Sequence, residues 1–503
     1  MEFGTGAVKI TPAHDFNDYE VAKRHNLPLK QVIGFDGKLN EHAGKFAGMY
    51  VKQARVSIVE EMQKKGLIEK IDTNYFHRVG VCYKCKTILE PLPLEQWYVK
   101  VQPLISNALY AIDNDFANVY PQNFVSMLKA WYANLRDWNI SRQNVWGIQI
   151  PVWYSVEGYE KEFSISFIDK QNRPQKGYLD ELIRQGFTWD EMLKGLQRVN
   201  APITAKIVFT EQKKEKGKYL PETDTFDTWF SSGQWPIVTL KTTKKGDFET
   251  FYPTAVMETG YDILKAWVSR MLMLGLYIAN GKYEEDLEKI KNTVPFRHIV
   301  LHGLVNDPYG KKMSKSKGNV VNPLEVVDQY GADAVRLALI YGTGLGNDQA
   351  MSYPKLEAAR KFTNKLWNIA RFIEMKSTSK THSKDFSALE KITLHDNDKE
   401  IIRKIQKLVQ EISNYLDKYQ FNLAAERLYD FIWHEFADIY IEDVKKRIDD
   451  TSSIVLVSCF LILLKLLHPF MPFVTEEIYD LLTKSKKPIM IEVWPLMKTK
   501  NLR

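Results

Sequence analysis

The sequence predicts an α/β region followed by an all-α region, and two patterns lead to this fold class. In the middle of the chain, short apolar segments end in glycine turns and alternate with apolar helical segments, which is typical of a parallel sheet flanked by helices. From Pro354 onward, apolar residues recur at the three- and four-residue spacing of packed helices. Because 503 residues exceed what one hydrophobic core holds, we expect several domains.

Composition narrows the class of protein. Apolar residues make up 45% of the chain and charged residues 26%, as in ordinary soluble globular proteins. The 69 basic and 62 acidic residues give a net charge of +7, which is compatible with a polyanionic partner. Three cysteines are too few for a disulfide framework and indicate a reducing compartment, the cytoplasm. The start of the sequence lacks the pattern of a signal peptide.

The most apolar segment runs from Ile454 to Leu467 and stops before Pro469. It is about 14 residues long, whereas a membrane-spanning helix needs roughly 20. We therefore predict a buried core helix and no membrane association.

The first residues predict a strand, a loop and a helix. Ala7 to Thr11 has the pattern of a short strand, and Asp15 can cap a helix from Phe16 to His25. Asp15 and Asp18 are three residues apart, so both carboxylates could face one pocket and hold an ammonium group. Alternatively, Asp15 is only a helix cap and Asp18 a first-turn acid favoured by the helix dipole.

Cys82 and Cys85 have the Cys-x-x-Cys spacing of a zinc knuckle, but they supply only two of four tetrahedral ligands. His77 is near enough in sequence to be a third ligand, and Cys459 lies in an apolar helix. Zinc binding at Cys82 and Cys85 therefore stays open.

Residues 155–221 differ in character from their surroundings. They combine a strand-like segment at Phe163 to Phe167 with a polar stretch from Glu211 to Lys218. We interpret them as an inserted subdomain, and their sequence points to no chemistry.

Two neighbouring strands are predicted to end in polar loops. Ala255 to Met257 continues into Glu258-Thr-Gly-Tyr-Asp262 and an apolar helix from Ile263 to Ala279. Arg297 to Val305 is the next buried strand. Ligands bind at the carboxyl ends of parallel strands, where Gly260 would allow close approach and Asp262 could bind ribose hydroxyls. The alternative is a routine turn with Asp262 as a helix cap.

A lysine loop, Lys312-Met-Ser-Lys-Ser316, follows the second strand and a Pro/Gly turn. Lys312 and Lys315 are compact cations that could follow a moving polyphosphate, with serine hydroxyls adding hydrogen bonds. The alternative is a solvated basic turn.

The C-terminal third predicts a helical bundle. Apolar stripes run from Leu356 to Ile369 and from Ile401 to Leu416, and further helices are expected at 422–441 and 454–467. Three aromatic residues of these segments are predicted to lie in the core: Trp367, Trp433 and Phe436.

Several motifs together resemble the class I aminoacyl-tRNA synthetases, and among them the valyl-tRNA synthetases. The lysine loop at the end of a strand is similar to the second signature of the class. The editing-domain motif of the valyl family is similar to Gly4-Thr-Gly-Ala-Val-Lys-Ile-Thr-Pro-Ala-His-Asp15. Further matches occur in order along the chain, outside 155–221, at Trp138-Asn-Ile-Ser-Arg-Gln143, Asp227-Thr-Trp-Phe-Ser-Ser232, Glu258-Thr-Gly-Tyr-Asp-Ile263 and Tyr330-Gly-Ala-Asp-Ala-Val-Arg336.

The resemblance implies the roles of the residues near the lysine loop. Lys312 and Lys315 would bind the triphosphate and stabilise charge on pyrophosphate during formation of valyl-adenylate. The ATP site would be formed by Gly260, Asp262, His302, Gly303 and Lys315.

The same resemblance implies a valine pocket and an editing pocket. Trp229, Ile263 and Trp267 would wall the valine side chain and exclude isoleucine, but they could not reject isosteric threonine, so hydrolytic editing is expected. The editing pocket would comprise Phe3, Lys9, Thr11, Asp15 and Asp18, with Asp18, or Asp18 together with Asp15, holding the substrate ammonium.

The family implies four segments in this chain. These are the remainder of an editing domain (1–78), a zinc-ribbon-like connection (79–102), the second half of a Rossmann-type catalytic domain (103–345, with 155–221 inserted and the lysine loop at 312–316) and a helical anticodon-binding domain (346–503). Candidate tRNA phosphate contacts in the last segment are Lys361, Lys365, Arg371, Lys445, Lys446 and Arg447.

Function is therefore expected to be ATP-dependent ligation of valine to tRNA(Val), with ATP and Mg²⁺ as cofactors and Zn²⁺ as a further candidate. The first signature of the class, of His-Ile-Gly-His type, does not occur among these residues. We expect a fragment or one half of a split enzyme, with a separately encoded N-terminal half as partner. The alternative is a catalytically inactive tRNA-binding module.

Overall fold

The computed structural model describes residues 6–34, 36–82, 85–209, 217–282, 285–376, 386, 389 and 392–495. Phe3, predicted to lie in the editing pocket, is outside these residues. The chain divides into two compact units, one made of residues 1–98 and 139–225 and the other of 99–138 and 226–503.

The α-helices are given in chain order: α1 (Phe16–His25), α2 (Val51–Lys64), α3 (Gln102–Asp113), α4 (Asn123–Ala133), α5 (Leu179–Arg184), α6 (Trp189–Gly195), α7 (Thr228–Ser232), α8 (Trp235–Thr243), α9 (Asp247–Phe251), α10 (Ser269–Asn280), α11 (Leu287–Thr293), α12 (Pro323–Tyr330), α13 (Ala332–Ile340), α14 (Tyr353–Lys376), α15 (Asp396–Asp417), α16 (Phe421–Asp430), α17 (Glu442–Val444), α18 (Asp450–Leu467) and α19 (Pro472–Thr483). The 3₁₀ turns are Glu41–Phe46, Tyr261–Ile263, Lys315–Lys317 and Ile489–Ile491, and the π-helical segments are Leu264–Val268 and Phe431–Ile441.

The strands are β1 (Tyr98–Val99), β2 (Asn118–Tyr120), β3 (Trp138–Asn139), β4 (Ser141–Arg142), β5 (Val152–Ser155), β6 (Ser164–Ile168), β7 (Pro174–Tyr178), β8 (Leu196–Asn200), β9 (Ile207–Phe209), β10 (Tyr219–Pro221), β11 (Thr225–Phe226), β12 (Thr254–Gly260), β13 (Phe296–His302), β14 (Val305–Asn306) and β15 (Gln349–Ala350).

A parallel sheet carries the strand ends that the sequence singled out. β13 lies between β12 and β2, and all three strands are parallel. Residues 299–301 of β13 are buried, as expected for a parallel strand covered on both faces. In the register of β12 and β13, Gly260 lies opposite His302. Both predicted strands are confirmed.

Two predicted elements are wrong or incomplete. Residues 7–11 form no strand, and the backbone N–H of Thr11 donates to the Asp18 carboxylate instead of to a neighbouring strand. The helix predicted from Ile263 begins as a 3₁₀ turn and a π-helical segment and becomes an α-helix only at Ser269. Such π-helical segments are frequent at functional sites.

The insertion contributes to two small antiparallel sheets. It forms the sheet with the strand order β7-β6-β8, and in the sheet β10-β5-β9 its strands β9 and β10 pair with β5, at the start of the insertion. Phe163, Ile165 and Phe167 are buried, and the core around them includes residues of α5 and α6. The predicted strand at 163–167 is confirmed as β6, whereas residues 211–216 of the predicted polar stretch lie outside the described residues.

The helical bundle encloses an extensive hydrophobic core. The predicted stripes are confirmed, since Leu356, Phe362 and Leu366 of α14 are at most 1% exposed, and the stripe of α15 is buried with them. Phe436 is fully buried, and Trp433 is partly buried against the core. The prediction for Trp367 is wrong because its side chain is 38% exposed.

Helix α18 is the one described helix that is long and apolar enough to cross a membrane, with a mean hydropathy of 1.9. However, 83% of it is buried inside the bundle. The prediction of a core helix is confirmed.

Helix α13 is joined by two side chains to the turn after α18 and to the first turn of α19. The Asp333 carboxylate accepts hydrogen bonds from the backbone N–H groups of Phe473 (3.2 Å) and Val474 (2.6 Å). The Arg336 guanidinium donates to the carbonyl oxygens of Pro469 (3.0 Å) and Phe470 (3.2 Å). Residues 334, 335, 337 and 338 of α13 also lie in the core of the bundle.

Candidate active site

The carboxyl ends of β12 and β13 bring four predicted site residues together. The register of the two strands places Gly260 beside His302, and a Cβ atom on Gly260 would lie 2.7 Å from Oδ1 of Asp262 and 3.5 Å from Cε1 of His302. Nε2 of His302 lies 3.4 Å from Oε1 of Glu258, and Nδ1 donates to the carbonyl oxygen of Gly303 at 2.7 Å. The glycine therefore leaves space between two polar side chains that a larger residue would occupy.

Gly303 lets the loop after α13 approach the end of β13. A Cβ atom there would lie 1.8 Å from the carbonyl oxygen of Asn347. Asp348, in the same loop, accepts hydrogen bonds from the Leu304 N–H (2.7 Å) and the Tyr261 hydroxyl (3.1 Å). The second bond raises the pKa of the Tyr261 hydroxyl. Asp348 thus ties the strand ends to this loop, a role that the sequence did not indicate.

A cavity of about 400 Å³ opens at these strand ends. His302, Gly303 and Glu258 line it, together with apolar residues that include Val300, Leu339 and Phe421. This volume and this mixture of apolar walls with a few polar groups are typical of small-molecule sites.

The lysine loop is held by Asp307 and Asn319. Oδ1 of Asp307 accepts the N–H groups of Tyr309 (3.0 Å) and Lys311 (2.8 Å). The Asn319 amide donates to Oδ2 of Asp307 at 2.8 Å, and its oxygen accepts the Ser314 N–H at 2.9 Å. The Asn319 bond, followed by the backbone N–H of Lys311, lowers the pKa of Asp307, which therefore stays ionised at neutral pH.

The loop brings Lys312 to the strand ends. Its Nζ lies 4.0 Å from Oδ2 of Asp262, and both side chains are solvent-accessible. Lys315 is exposed at the start of the 3₁₀ turn Lys315–Lys317. The arrangement offers one cation beside a carboxylate and a second, exposed cation three residues further along the loop, groups that suit a phosphorylated ligand with a hydroxyl-bearing sugar.

The predicted valine-pocket residues come from two adjoining segments. Trp229 lies in α7, while Ile263 and Trp267 lie in the turns before α10, and all three are half-buried. The Trp267 indole donates to the carbonyl oxygen of Ser232 at 3.0 Å and joins the two segments.

Asp227 fixes the start of α7. Its Oδ1 accepts the Trp229 N–H at 3.2 Å, and Oδ2 accepts the Trp138 indole N–H at 2.9 Å. The Arg270 guanidinium lies 4.3 Å from the centre of the Trp138 ring. The motifs around Asp227 and Trp138 were visible in the sequence, but their contact, 89 residues apart, was not.

Lys9, Thr11, Asp15 and Asp18, the predicted editing residues that the structure describes, lie in the first unit. Asp18 accepts hydrogen bonds from the Thr11 backbone N–H (2.6 Å) and hydroxyl (3.1 Å). Asp15 caps α1 by accepting the N–H groups of Asn17 and Asp18, as the capping alternative predicted, and Lys9 is exposed. The structure thus joins Thr11 and Asp18, while the Asp15 carboxylate bonds to the backbone of α1.

Cys82 and Cys85 are the candidate metal ligands of the first unit. Across the described parts of the chain, no group of three or more His, Cys, Asp or Glu side chains is arranged to hold a metal ion. Sγ of Cys85 lies 3.2 Å from Oγ1 of Thr87, and this contact with Thr87 is the main reason why the pKa of the Cys85 thiol is lowered to about 7.

Two family models match this chain. Residues 18–352 match tRNA synthetases class I (I, L, M and V), and residues 398–502 match the anticodon-binding domain of tRNA ligase. The chain therefore belongs to the class I tRNA synthetases of the I, L, M and V group.

Its curated relatives include valine--tRNA ligases. It is 40% identical to that of Dehalococcoides mccartyi strain CBDB1, over 96% of this chain and 49% of the relative. It is 37% identical to that of Thermotoga maritima, over 98% of this chain and 51% of the relative. The predicted resemblance to the valyl family is confirmed, and the chain spans about half the length of these relatives.

Solved structures support the fold. A LeuRS from Agrobacterium radiobacter K84, in a ternary complex with tRNA and LeuAMS, matches 72% of this chain and 43% of its own, with a TM-score of 0.52 and 19% identity. A methionyl-tRNA synthetase from Mycobacterium tuberculosis, in complex with methionyl-adenylate, matches 80% of this chain and 66% of its own, with a TM-score of 0.52 and 15% identity. The predicted combination of a Rossmann-type catalytic region and a helical anticodon-binding domain is confirmed.

Proposed function

We propose that the strand-end site binds ATP and valine and contributes to valyl-adenylate formation and valine–tRNA ligation. The observation that carries this proposal is the proximity of the glycine turn to the lysine loop, with Nζ of Lys312 4.0 Å from the Asp262 carboxylate. Family membership and the valine--tRNA ligase relatives support the same substrate class.

In the reaction, a carboxylate oxygen of valine forms a bond to the α-phosphorus of ATP, and the bond from that phosphorus to the bridging oxygen of pyrophosphate breaks. Lys312 and Lys315 would stabilise the negative charge that grows on the departing pyrophosphate. Asp262 would accept hydrogen bonds from the ribose hydroxyls. His302 and Gly303 would line the adenosine cavity of about 400 Å³.

Mg²⁺ would arrive with the triphosphate. Among the described residues no cluster of three or more metal-ligating side chains exists, and Mg²⁺ is commonly held by substrate phosphates, water and one or two carboxylates. Zn²⁺ binding would need two ligands besides Cys82 and Cys85, so it is not part of the proposed mechanism.

Side-chain selection would use Trp229, Ile263 and Trp267. The Trp267–Ser232 hydrogen bond holds two of these walls in fixed relation, which favours exclusion of isoleucine. A rigid apolar wall discriminates poorly between valine and threonine. The pocket around Thr11 and Asp18 would hydrolyse threonyl-tRNA. Its further predicted residues are Lys9, Asp15 and Phe3.

The helical bundle would bind tRNA(Val) in the cytoplasm. Its candidate phosphate contacts are not equivalent, since the Arg447 guanidinium donates to the buried Asp398 carboxylate at 2.8 Å and to Asp443 at 2.7 Å. Arg447 therefore stabilises the bundle, and the prediction of a phosphate contact is withdrawn for it. Lys365 and Lys445 stay candidates although they pair with Asp438 (2.8 Å) and Glu442 (2.6 Å). The remaining candidates are Lys361, Arg371 and Lys446.

Valine-dependent ATP–pyrophosphate exchange tests the proposal. These 503 residues contain no His-Ile-Gly-His type signature, so we expect no exchange by the chain alone and exchange after addition of a polypeptide that carries this signature. Full activity of the chain alone would refute the requirement for a complementing half. Failure of any such complement to restore exchange, with tRNA binding retained, would favour the inactive tRNA-binding module.

In the complemented enzyme, Lys315→Ala should lower the exchange rate by roughly 10²- to 10³-fold, the scale of losing one donor to transition-state charge. Lys317→Ala is the matched control, because Lys317 is an exposed lysine of the same 3₁₀ turn. Equal rates for the two variants would remove Lys315 from the mechanism.

A further inference from the structure

The insertion presents a polar sheet face that the proposed reaction does not use. In the sheet β7-β6-β8, the buried side chains of Ile165 and Phe167 cover one face. The side chains of Ser164 and Ser166 alternate with them and point to the other face. The packed side makes this sheet a fixed support for the residues on its open side.

The strand registers place six side chains in two rows on the open face. One row is Tyr178, Ser164 and Asn200, and the next is Lys176, Ser166 and Arg198. We call these six residues the insertion face. Each row spans three neighbouring strands, which lie about 4.8 Å apart, so the two cations stand on either side of the central serine.

A small cavity marks the middle of the insertion face. It measures about 180 Å³ and is lined by Ser164, Ile165, Ser166, Lys176, Arg198 and Asn200. Two cations, two hydroxyls and an amide line this cavity. Nε of Arg198 donates to Oδ1 of Asn200 at 3.3 Å, which links two of these side chains within one strand. Such a donor set suits an anion with several oxygen acceptors.

The size of this cavity and the residues around it limit which ligands it can bind. Whole small molecules are usually bound in cavities of roughly 300–1,000 Å³, so this one fits a phosphate group but not a complete nucleotide. Tyr178 stands in the row beside it and is 49% exposed, which leaves the phenol ring accessible for stacking. An aromatic ring next to a phosphate site is the combination that binds unpaired nucleotides of RNA.

We propose that the insertion face is an RNA-contact surface that binds a backbone phosphate between Lys176 and Arg198 and an unpaired base on Tyr178. The proposal rests on the proposed function in taking tRNA as the RNA. The contact is independent of base sequence because the donors named here all face the phosphate.

Binding of a fluorescein-labelled 12-nucleotide single-stranded RNA and of a tRNA(Val) transcript to the full chain tests this proposal. The double variant Lys176→Gln/Arg198→Gln should weaken binding of the short RNA at least tenfold and reduce the slope of log K against log salt by about 0.7, the value for one lost phosphate contact with a single strand. Tyr178→Ala should weaken it roughly 5- to 100-fold. The control Lys161→Gln/Lys170→Gln removes the same charge from exposed positions of the insertion outside this face.

Acetylation of the unmodified chain gives a second measurement that depends on no variant. RNA should protect Lys176, but not Lys161, from acetic anhydride. Equal losses in the two double variants, or an unprotected Lys176, would overturn the proposal. If tRNA(Val) bound no better than another tRNA while the insertion-face variants still lost RNA binding, the proposed valine specificity would fail and the insertion face would stand.

Discussion

Replacing Gly303 with alanine tests the close approach between β13 and the loop after α13. The added Cβ would lie 1.8 Å from the carbonyl oxygen of Asn347, 2.2 Å from its carbonyl carbon and 2.7 Å from the Asp348 nitrogen. Because Cβ contacts essentially never fall below 3.0 Å, main-chain atoms would have to move by at least the difference between 1.8 and 3.0 Å, which is 1.2 Å.

The size of the effect follows from which atoms must move. Extra carbon in a close-packed site usually costs about 1–3 kcal/mol, and the obstacle at Gly303 is backbone held by the Asp348 hydrogen bonds. We expect Gly303→Ala to lower the free energy of unfolding by about 3 kcal/mol. At Gly260 the nearest obstacle is the flexible Asp262 carboxylate. Gly260→Ala should cost less than about 1 kcal/mol but displace Asp262 and weaken ATP binding roughly tenfold.

Urea denaturation followed by circular dichroism measures the difference. A loss of about 3 kcal/mol lowers the midpoint by about 1 M for a slope near 3 kcal/mol per M. Gly344→Ala is the control, since its Cβ would lie 3.4 Å from the Asn347 amide nitrogen. A Gly303→Ala midpoint equal to that of Gly344→Ala would refute the rigidity assigned to this loop.

Three further changes probe the bundle, the cysteine pair and the lysine loop. Asp398→Asn should lower the free energy of unfolding by about 3 kcal/mol, because the fully buried Asp398 carboxylate accepts hydrogen bonds from the side chains of Tyr440 and Arg447. Lys446→Gln is the control at an exposed position and should leave the free energy of unfolding unchanged. Equal urea midpoints for the two variants would contradict the role of this carboxylate. The rate of Cys85 alkylation by iodoacetamide, measured by peptide mass spectrometry, should rise with pH around a midpoint near 7, since the thiolate is the nucleophile and the pKa of the thiol is about 7. Thr87→Val should move that midpoint towards about 8.5. An unmoved midpoint would exclude Thr87 as the cause of the lowered pKa. Asn319→Ala should lower valine-dependent exchange in the complemented enzyme by roughly 10- to 100-fold through misplacement of the loop, and an unchanged rate would mean that ATP orders the loop unaided.

Much of the fold follows from local sequence signals. Asp15 predicts the start of α1, and the structure confirms it as the N-cap of that helix. The apolar run around Ile299 identifies a central parallel strand that is buried on both faces. The run around Met257 identifies its neighbour β12, which lies at the edge of the sheet and leaves Val256 41% exposed. In the candidate site, the glycine at the end of one strand and the lysines after the next could be predicted to meet, since parallel strands end at the same edge.

The rest depends on contacts between distant residues. Thr11 was expected in a strand, but its N–H bonds to Asp18, which no alternation pattern encodes. Arg447 looked like a surface cation, and only the fold shows its bond to Asp398, 49 residues away. Trp367 was assigned to the core because aromatic residues are often buried, yet its side chain is 38% exposed. The hydrogen bond between Asp307 and Asn319 likewise follows only from the folded shape of the lysine loop.

The joint between α13 and the bundle has a consequence for how the protein comes apart. Since Asp333 and Arg336 bind both sides of the turn between α18 and α19, and α13 contributes apolar side chains to the same core, heat or urea cannot melt the bundle while leaving α13 in place. We expect this region to unfold in a single cooperative step. A polypeptide begun at residue 346 would lack α13, expose the core surface that Leu337 covers, and aggregate instead of folding as a separate module.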